Sequence, residues 1–599
     1  MPGYRSFVDV VTAHASAFPD RAAVVFSADP TDPAGDVTVR YGQLAARAQA
    51  VGAVLRSLIE VGDRVLLLCG PGPAFAAGFL GSLHAGMIAV PAPPPDGDPR
   101  ERERLARIAR DCGATALLTD SATEKAVRGW ARATGLERDA HVVVTDRLEG
   151  PSRGALRSVV IGPHTVAYLQ YTSGATGDPK GVRIDHGHLL ATCRAVQRRL
   201  DLQGDDRVGG WLPMYHELGL IGQCLAPWFA GALSVSMPPP DFPRRPHTWL
   251  RLIDRHGITV SCAPDGAYDL CARQVADSEL AGVDLSRWRA AVNASAPVRP
   301  HTARAFVDRF APFGLRPDAM RTGYELAEAT VSLAAGPEPV VVEVDAGRLE
   351  RGAIVPAAGG GEPRRELVGS GPALEGVEIR IVDPQSRRTL EDGLVGEIWV
   401  RGAGVSRGYW RQRYETARVF SNTTAEGASG FLRTGDLGGL RDGELFVTGR
   451  IADLVVIDGR ALCPRELEAE ARGVHEALAE GTAAAFTVDT EVGPQLVMIH
   501  ECPPDAGPLP VPVAVVSAVR NLLQREYGLA ASVVLVRPGT VPRTTSGKIQ
   551  RRLTRELFTS GQLAVEWESL TPEVRRTYRL ARPALAEPQP RSSNARSVV

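Results

Sequence analysis

Apolar residues in this chain come in short runs of strand length, most of them followed by a stretch with helical periodicity. Val65 to Leu68 precedes Phe75 to His84, Leu233 to Met237 precedes Thr248 to His256, and Ile258 to Cys262 precedes Tyr268 to Val275; Ala116 to Thr119 is a further run of this kind. Nearly continuous apolar strands alternating with amphipathic helices suit sheets that carry helices on their faces, because a parallel crossover is normally made by a helix packed on the sheet. The pattern predicts an α/β fold with largely parallel sheets. Pro91-Ala-Pro-Pro-Pro95 and Pro238-Pro-Pro240 read as stiff loops within it, since proline removes N–H donors and forbids helix continuation.

Beyond Arg450 the pattern changes. Leu454 to Ile457 meets Asp458-Gly459, a pair tolerant of the left-handed turn conformation, and Thr487 to Glu491 approaches Leu496 to His500 across Val492-Gly-Pro494. Both read as hairpins. A chain of 599 residues exceeds the size at which one core stops growing, so we expect a large N-terminal domain at 1–451 and a smaller α+β domain at 452–580. Residues 581–599, rich in Pro, Ser, Ala and Arg, hold too little apolar surface to offset chain entropy and are expected to be disordered.

Composition narrows the function classes. Lys and Arg together number 68 against 69 Asp and Glu, so no global field favours nucleic acid or an anionic membrane. No apolar run approaches a membrane span and Met1-Pro-Gly-Tyr-Arg-Ser lacks the core of a signal peptide, which makes a soluble, cytoplasmic protein the expectation. The eight cysteines are scattered without paired spacing or companion histidines and read as small buried hydrophobes.

The chemistry begins at Tyr171-Thr-Ser-Gly-Ala-Thr-Gly-Asp-Pro-Lys-Gly-Val182, just after the apolar run Val166 to Leu169. Gly174 and Gly177 let backbone N–H groups approach oxyanions, Thr172, Ser173 and Thr176 add hydroxyl donors, and Lys180 adds positive charge, which together suit a nucleotide polyphosphate. No Ser or Thr follows Lys180 as in a Walker A loop, and Gly174-Ala-Thr-Gly177 lacks the dinucleotide spacing. Taken alone, the segment also admits a lesser reading as a Ser/Thr/Gly linker.

Five further segments decide between these readings: Trp211-Leu-Pro-Met-Tyr-His216, Tyr324-Glu-Leu-Ala-Glu328, Thr434-Gly-Asp436, Gly449-Arg-Ile-Ala-Asp453 and Pro542-Arg-Thr-Thr-Ser-Gly-Lys548. In this order they resemble the motifs of the adenylate-forming superfamily of acyl-CoA synthetases, peptide-synthetase adenylation domains and luciferases, and the resemblance runs from Arg5 to Phe558. It implies a layered N-terminal domain with a mobile C-terminal lid, ATP as nucleotide and Mg2+ as metal. It further implies that Thr172 to Lys180 cradles the β- and γ-phosphates, Glu328 ligates Mg2+, Asp436 accepts the ribose hydroxyls and Arg450 supports the ribose side. Tyr324 would stack on adenine, Asn293 would lie near the nucleotide, and Lys548 would neutralise charge at the α-phosphorus during attack by a carboxylate. His216 would position the acid substrate.

Leu169-Gln-Tyr-Thr-Ser-Gly174, Trp211 to Leu220 and Ala327-Glu-Ala-Thr330 are most similar to the fatty acyl-AMP ligases, as is the insertion-like segment 344–371. That branch hands acyl groups to a phosphopantetheinyl carrier protein, here expected in trans, and its insertion packs between the domains and disfavours free coenzyme A. The chain departs from the branch in three places. Asn293-Ala-Ser-Ala-Pro297 stands where the branch reads Asn-Gly-Ala-Glu-Pro, Ala452 occupies the hinge, and Glu325 replaces a glycine at the carboxylate end of the acyl pocket that Ala327 and His216 also line. A carboxylate there either turns into solvent or pairs with a cation, for which a substrate amine or an arginine serves equally well; facing the pocket, it would favour a polar or amino-bearing acid over a plain fatty one. Two alternatives stay open: an adenylating ligase for a small polar, aryl or amino-bearing acid or another oxyanion that transfers to an amine or coenzyme A, and an inactive nucleotide-binding scaffold.

Overall fold

The computed structural model describes residues 3–95, 97–148, 159–172, 179–294, 298–359, 363–457, 460–479, 481–502, 511–543 and 548–579; the expected tail 581–599 lies outside them. The chain forms two compact units, Met1–Ile451 and Ala452–Val599. Among the described residues no helix is long and apolar enough to cross a membrane.

The first unit contains two large sheets. One has eight strands in the order Ser332–Ala335, Met320–Glu325, Ala290–Asn293, Val260–Ala263, Arg207–Gly210, Leu233–Ser236, Ala22–Ser27 and Asp36–Arg40. Its six inner strands run parallel and only the two outer ones are antiparallel. The other orders His141–Val144, Ala114–Thr119, Arg64–Leu67, Ile88–Pro91, Val166–Tyr171 and Gly181–Asp185, parallel except for the last pair. The helix Pro73–His84 is apolar on every side rather than amphipathic, and Phe75 to Leu83 are all buried. Such a helix has no face to give to water, so it serves as the filling of the main core, with Phe79 edge-on to Tyr168 at 5.8 Å. A Cβ on Gly81 would sit 2.7 Å from the Ala48 carbonyl oxygen, so glycine is what lets the neighbouring helix Tyr41–Leu58 approach.

A four-stranded antiparallel sheet follows, Val377–Val382, Gly396–Gly402, Leu432–Arg441 and Glu444–Arg450. The insertion-like segment leans on it. Strands Val341–Asp345 and Arg364–Val368 pair with each other, Val344 and Ile354 pack against Phe446, and the Gly371 N–H donates to Glu444 Oε1 at 2.6 Å. Gly371 has φ +90°, and a Cβ there would lie 2.0 Å from the backbone of Ala335 and Gly336.

The second unit is a four-stranded sheet, Ala483–Thr490, Gly493–Glu501, Ala531–Val536 and Trp567–Ser569, with a core on each face. Period-two alternation sends Ala483, Ala485, Leu496, Met498, Val533 and Leu535 to the helices Pro464–Gly473 and Val511–Tyr527. The intervening Ala484, Phe486, Val497, Ile499 and Val534 face Phe558 and Val574. The predicted hairpin is present, but its turn is tighter than expected: Thr490 pairs with Gly493, so Gly493 and Pro494 belong to the strand. Val455–Ile457 and Arg460–Leu462 also pair antiparallel, as the Asp458-Gly459 signal implied, though that dipeptide itself lies outside the described residues.

One buried ion pair organises this unit. Arg551 donates from Nε and Nη2 to the two carboxylate oxygens of Glu468 at 2.7 and 2.6 Å, and its Nη1 lies 3.4 Å from Asp453. Removing one partner of such a pair strands a charge away from water. Glu468→Ala is therefore expected to lower the stability of the second unit by about 3–5 kcal/mol, read as a lower denaturant midpoint for a probe in that unit. An unchanged midpoint would contradict this.

Candidate active site

Strand Val166–Tyr171 delivers the chain to Thr172, and strand Gly181–Asp185 takes it back antiparallel, with Tyr171 opposite Gly181. Ser173, Gly174, Thr176 and Gly177 lie outside the described residues, but both ends of their segment are fixed. The Thr172 N–H donates to the Lys180 carbonyl at 3.2 Å, Arg104 Nη2 donates to the Thr172 carbonyl at 2.8 Å, and the Trp410 N–H donates to the Gly181 carbonyl at 2.7 Å. Thr172 thus stands at the carboxyl end of a parallel strand, where α/β sheets bind ligands.

Lys180 has a partner that motif reading did not foresee. Its ammonium lies 2.6 Å from Glu415 Oε2 and 5.4 Å from the centre of the Tyr409 ring. Arg418 and then Lys180 hold the Glu415 carboxyl down to about 2. Tyr409 in turn donates its hydroxyl to Glu328 Oε1 at 2.7 Å. Tyr409 and Glu415 thereby connect the phosphate segment to the expected metal carboxylate. The one clue in the sequence was an acidic residue in the first turn of the short helix Arg413–Val419.

The segments expected to meet the nucleoside converge on Asp436. Strand pairing sets Asp436 opposite Arg450, whose Nε donates to Oδ1 at 2.7 Å, while the Tyr324 hydroxyl donates to Oδ2 at 2.7 Å. The Asp436 N–H donates to Thr434 Oγ1, and the Gly435 N–H donates to the buried Glu397 carboxylate. Burial and the neighbouring Asp436 charge push the Tyr324 phenol well above its ordinary range, so it remains a donor. Asn293, at the end of its strand, donates Nδ2 to Asp265 Oδ1 at 3.1 Å, and its own Oδ1 is buried without a donor. An orphaned amide oxygen costs about 1–3 kcal/mol, and the amino group of a purine is a donor of the right kind to fill it.

The third cluster surrounds His216. The Leu220 N–H donates to the His216 carbonyl at 2.7 Å, and a π-helix, Leu218–Leu225, follows; such turns are rare and frequent at functional sites. Gly219 is required there, because a Cβ would lie 2.1 Å from the Pro213 carbonyl oxygen. Gln170, two residues before Thr172, donates Nε2 to the Tyr215 carbonyl at 2.9 Å, so this cluster is tied to the phosphate segment. Glu325 ends the strand Met320–Glu325 and is buried, and buried Ala327 opens a short turn that carries Glu328. The turn closes on Thr330 at φ 70°, held by its hydroxyl donating to the Gly404 carbonyl at 2.6 Å.

Among the described residues no group of three or more His, Cys, Asp or Glu is disposed to cage a metal. Magnesium in nucleotide sites is commonly held by one or two carboxylates plus substrate phosphates, and Glu328 fits that lesser requirement. Lys548 belongs to the second unit, where the Gln550 N–H donates to the Pro542 carbonyl at 2.9 Å and closes the segment that carries it.

Because the Glu415 pKa is depressed in the folded chain, its contribution to stability is complete above the ordinary carboxylate range of about 4.3 and is lost as pH falls through about 2. The stability difference between the parent and Glu415→Gln is expected to be constant from pH 8 to about 5 and to shrink below that. A difference that grows on acidification would reverse the assignment.

The pattern of the family described as AMP-binding enzyme matches residues 11–410. The chain is 35% identical over 542 residues to the medium-chain-fatty-acid–acyl-carrier-protein ligase JamA of Moorena producens, covering 89% of this chain and 91% of that protein. It is 37% identical over 577 residues to the 4-hydroxyphenylalkanoate adenylyltransferase of Mycobacterium tuberculosis, covering 92% and 91%. A solved fatty acid AMP ligase from Legionella pneumophila superposes with a TM-score of 0.72 at 30% identity, over 95% of this chain and 98% of that one. The chain belongs to the AMP-binding family of adenylate-forming enzymes.

Proposed function

We propose that the protein adenylates a carboxylic acid with ATP and transfers the acyl group to the phosphopantetheine thiol of a carrier protein supplied in trans. The observation that carries the reading is the Asp436 carboxylate, buried, oriented by Tyr324 and Arg450, and presenting a fixed acceptor to a pair of ribose hydroxyls. The names of the relatives, acyl-carrier-protein ligase and adenylyltransferase, support the acid and the acceptor.

In the first step a carboxylate oxygen attacks the α-phosphorus, the bond from that phosphorus to the β-bridging oxygen breaks, and pyrophosphate leaves. Negative charge gathers at phosphorus, and the ammonium of Lys548 offsets it there. Asn293 and Tyr324 hold the base, Asp436 and Arg450 the ribose, Thr172 to Lys180 the phosphates, and His216 the acid. Glu328 would hold Mg2+, which supplies charge neutralisation on the phosphates. In the second step the carrier thiol attacks the acyl carbonyl carbon, losing its proton, and AMP leaves. The second unit, 452–580, acts as the lid that brings Lys548 to the first step.

Lys548→Ala is expected to lower the pyrophosphate-exchange rate about a hundredfold or more while ATP still raises the melting temperature, because the lost interaction forms mainly in the transition state. Exchange within a few-fold of the parent would reject the role. Acyl transfer is expected to favour a phosphopantetheinylated carrier over free coenzyme A by a wide margin, since segment 344–371 is similar to the insertion that disfavours coenzyme A. Efficient acyl-CoA formation by the intact enzyme would count against that function of the segment.

A further inference from the structure

Tyr409 is 7% exposed and is held from several sides. Its N–H donates to Thr416 Oγ1 at 3.0 Å, its ring stands edge-on to Phe420 at 5.2 Å, and Val182 bridges to it antiparallel. To either side of it in the chain, the Gly408 carbonyl accepts from the Arg183 N–H at 3.0 Å and the Trp410 N–H donates to the Gly181 carbonyl. The ring has little freedom left, and its hydroxyl is delivered to Glu328 Oε1 at 2.7 Å.

Glu328 is held at its backbone by the same segment. The Ser406 N–H donates to the Glu328 carbonyl at 2.8 Å, and two residues further on the Thr330 hydroxyl donates to the Gly404 carbonyl at 2.6 Å. Together with the Tyr409 contact these hydrogen bonds clip the turn at 327–330 to residues 404–409. Only the Tyr409 bond reaches the carboxylate. Among the described residues no donor meets Glu328 Oε2, and the side chain is half-buried.

The kind of partner matters for the charge. An arginine or lysine on Oε1 would orient the carboxylate and also cancel it, whereas a phenol orients it and leaves the negative charge in place. Burial first, and then the Glu328 charge, push the Tyr409 phenol well above its ordinary range, so it keeps its proton and donates. The cation beside Tyr409 is Lys180, 5.4 Å from the ring centre, and it is paired with Glu415 at 2.6 Å. Glu328 thus has one oxygen fixed and the other, with its charge, open to a hard cation.

Resting on the adenylation reading above and its assignment of Mg2+ to Glu328, we infer that Tyr409 is a positioning residue for the metal: its hydroxyl fixes Glu328 so that Oε2 alone is presented to Mg2+. Partners that orient a metal ligand in this way typically set metal affinity by about 10–100-fold.

The test separates the metal from the nucleotide. The full chain is titrated calorimetrically with α,β-methylene ATP, which cannot be cleaved at the reacting bond, once in Mg2+ and once in EDTA, for the parent, Tyr409→Phe and Glu328→Gln. Tyr409→Phe keeps the ring beside Lys180 and removes the hydroxyl alone. It is expected to shrink the affinity gained from Mg2+ by about tenfold while leaving the affinity in EDTA at the parental value, and to raise the Mg2+ concentration for half-maximal pyrophosphate exchange by a similar factor. Glu328→Gln is expected to lose the gain as well. A gain unmoved by Tyr409→Phe but lost in Glu328→Gln overturns the inference and leaves Glu328 as the ligand. An equal loss of affinity in Mg2+ and in EDTA marks a purely structural role and also overturns it. A gain absent from the parent, or retained by Glu328→Gln, overturns the metal assignment and the inference together, and a parent that binds no nucleotide overturns adenylation itself.

Discussion

A carboxylate taken out of water must be paired or it will not stay charged, and Asp436 satisfies that constraint with partners from two separate pieces of the first unit. Tyr324 comes from the eight-stranded sheet and Arg450 from the antiparallel sheet that follows it. The chain cannot bury Asp436 without bringing these two sheets into register. Glu397 then fixes Gly435 by a charge-assisted hydrogen bond, and the Asp436 N–H closes on the Thr434 hydroxyl, so the turn that aims the carboxylate is itself held. The geometry that a ribose would meet is set before any ligand arrives, which is the form of preorganisation that favours tight and specific binding.

A second carboxylate system does the same around Lys180. Glu415, Tyr409 and Glu328 form a relay of contacts from Lys180 to the turn that begins at Ala327. The Lys180 charge is already balanced by Glu415, so its contribution here is order. Lys180, the His216 turn, the turn at Ala327 and the Asp436 clamp are tied to their neighbours through Gln170, Tyr409 and Tyr324, three side chains with polar tips on apolar bodies.

Much of this was legible in the sequence, for physical reasons that differ from place to place. The parallel strands announced themselves because strands buried on both faces leave continuous apolar runs, and the second unit because alternation and an Asp-Gly pair mark hairpins. Asp436, Glu328 and Lys548 stand in short, ordered motifs, which is why sequence alone singles them out as candidates. Glu415 was not singled out, since it meets Lys180 from a distant part of the chain and no local spacing encodes that. The helix Pro73–His84 was read by its period, but its all-round burial becomes evident only when both sheets are in place. The hairpin turn at Glu491-Val492 was misplaced by two residues because Gly-Pro is a stronger turn signal than the pair that makes it.

The Arg551 contacts have a mechanical meaning for the second unit. Asp453 is the second residue of that unit, Glu468 lies on its first long helix, and Arg551 stands three residues after Lys548. One guanidinium therefore clasps the entry of the unit, its scaffold and the stem of the lysine loop. The first residues of the unit and the start of the helix Arg551–Thr559 cannot shift apart without breaking a buried ion pair.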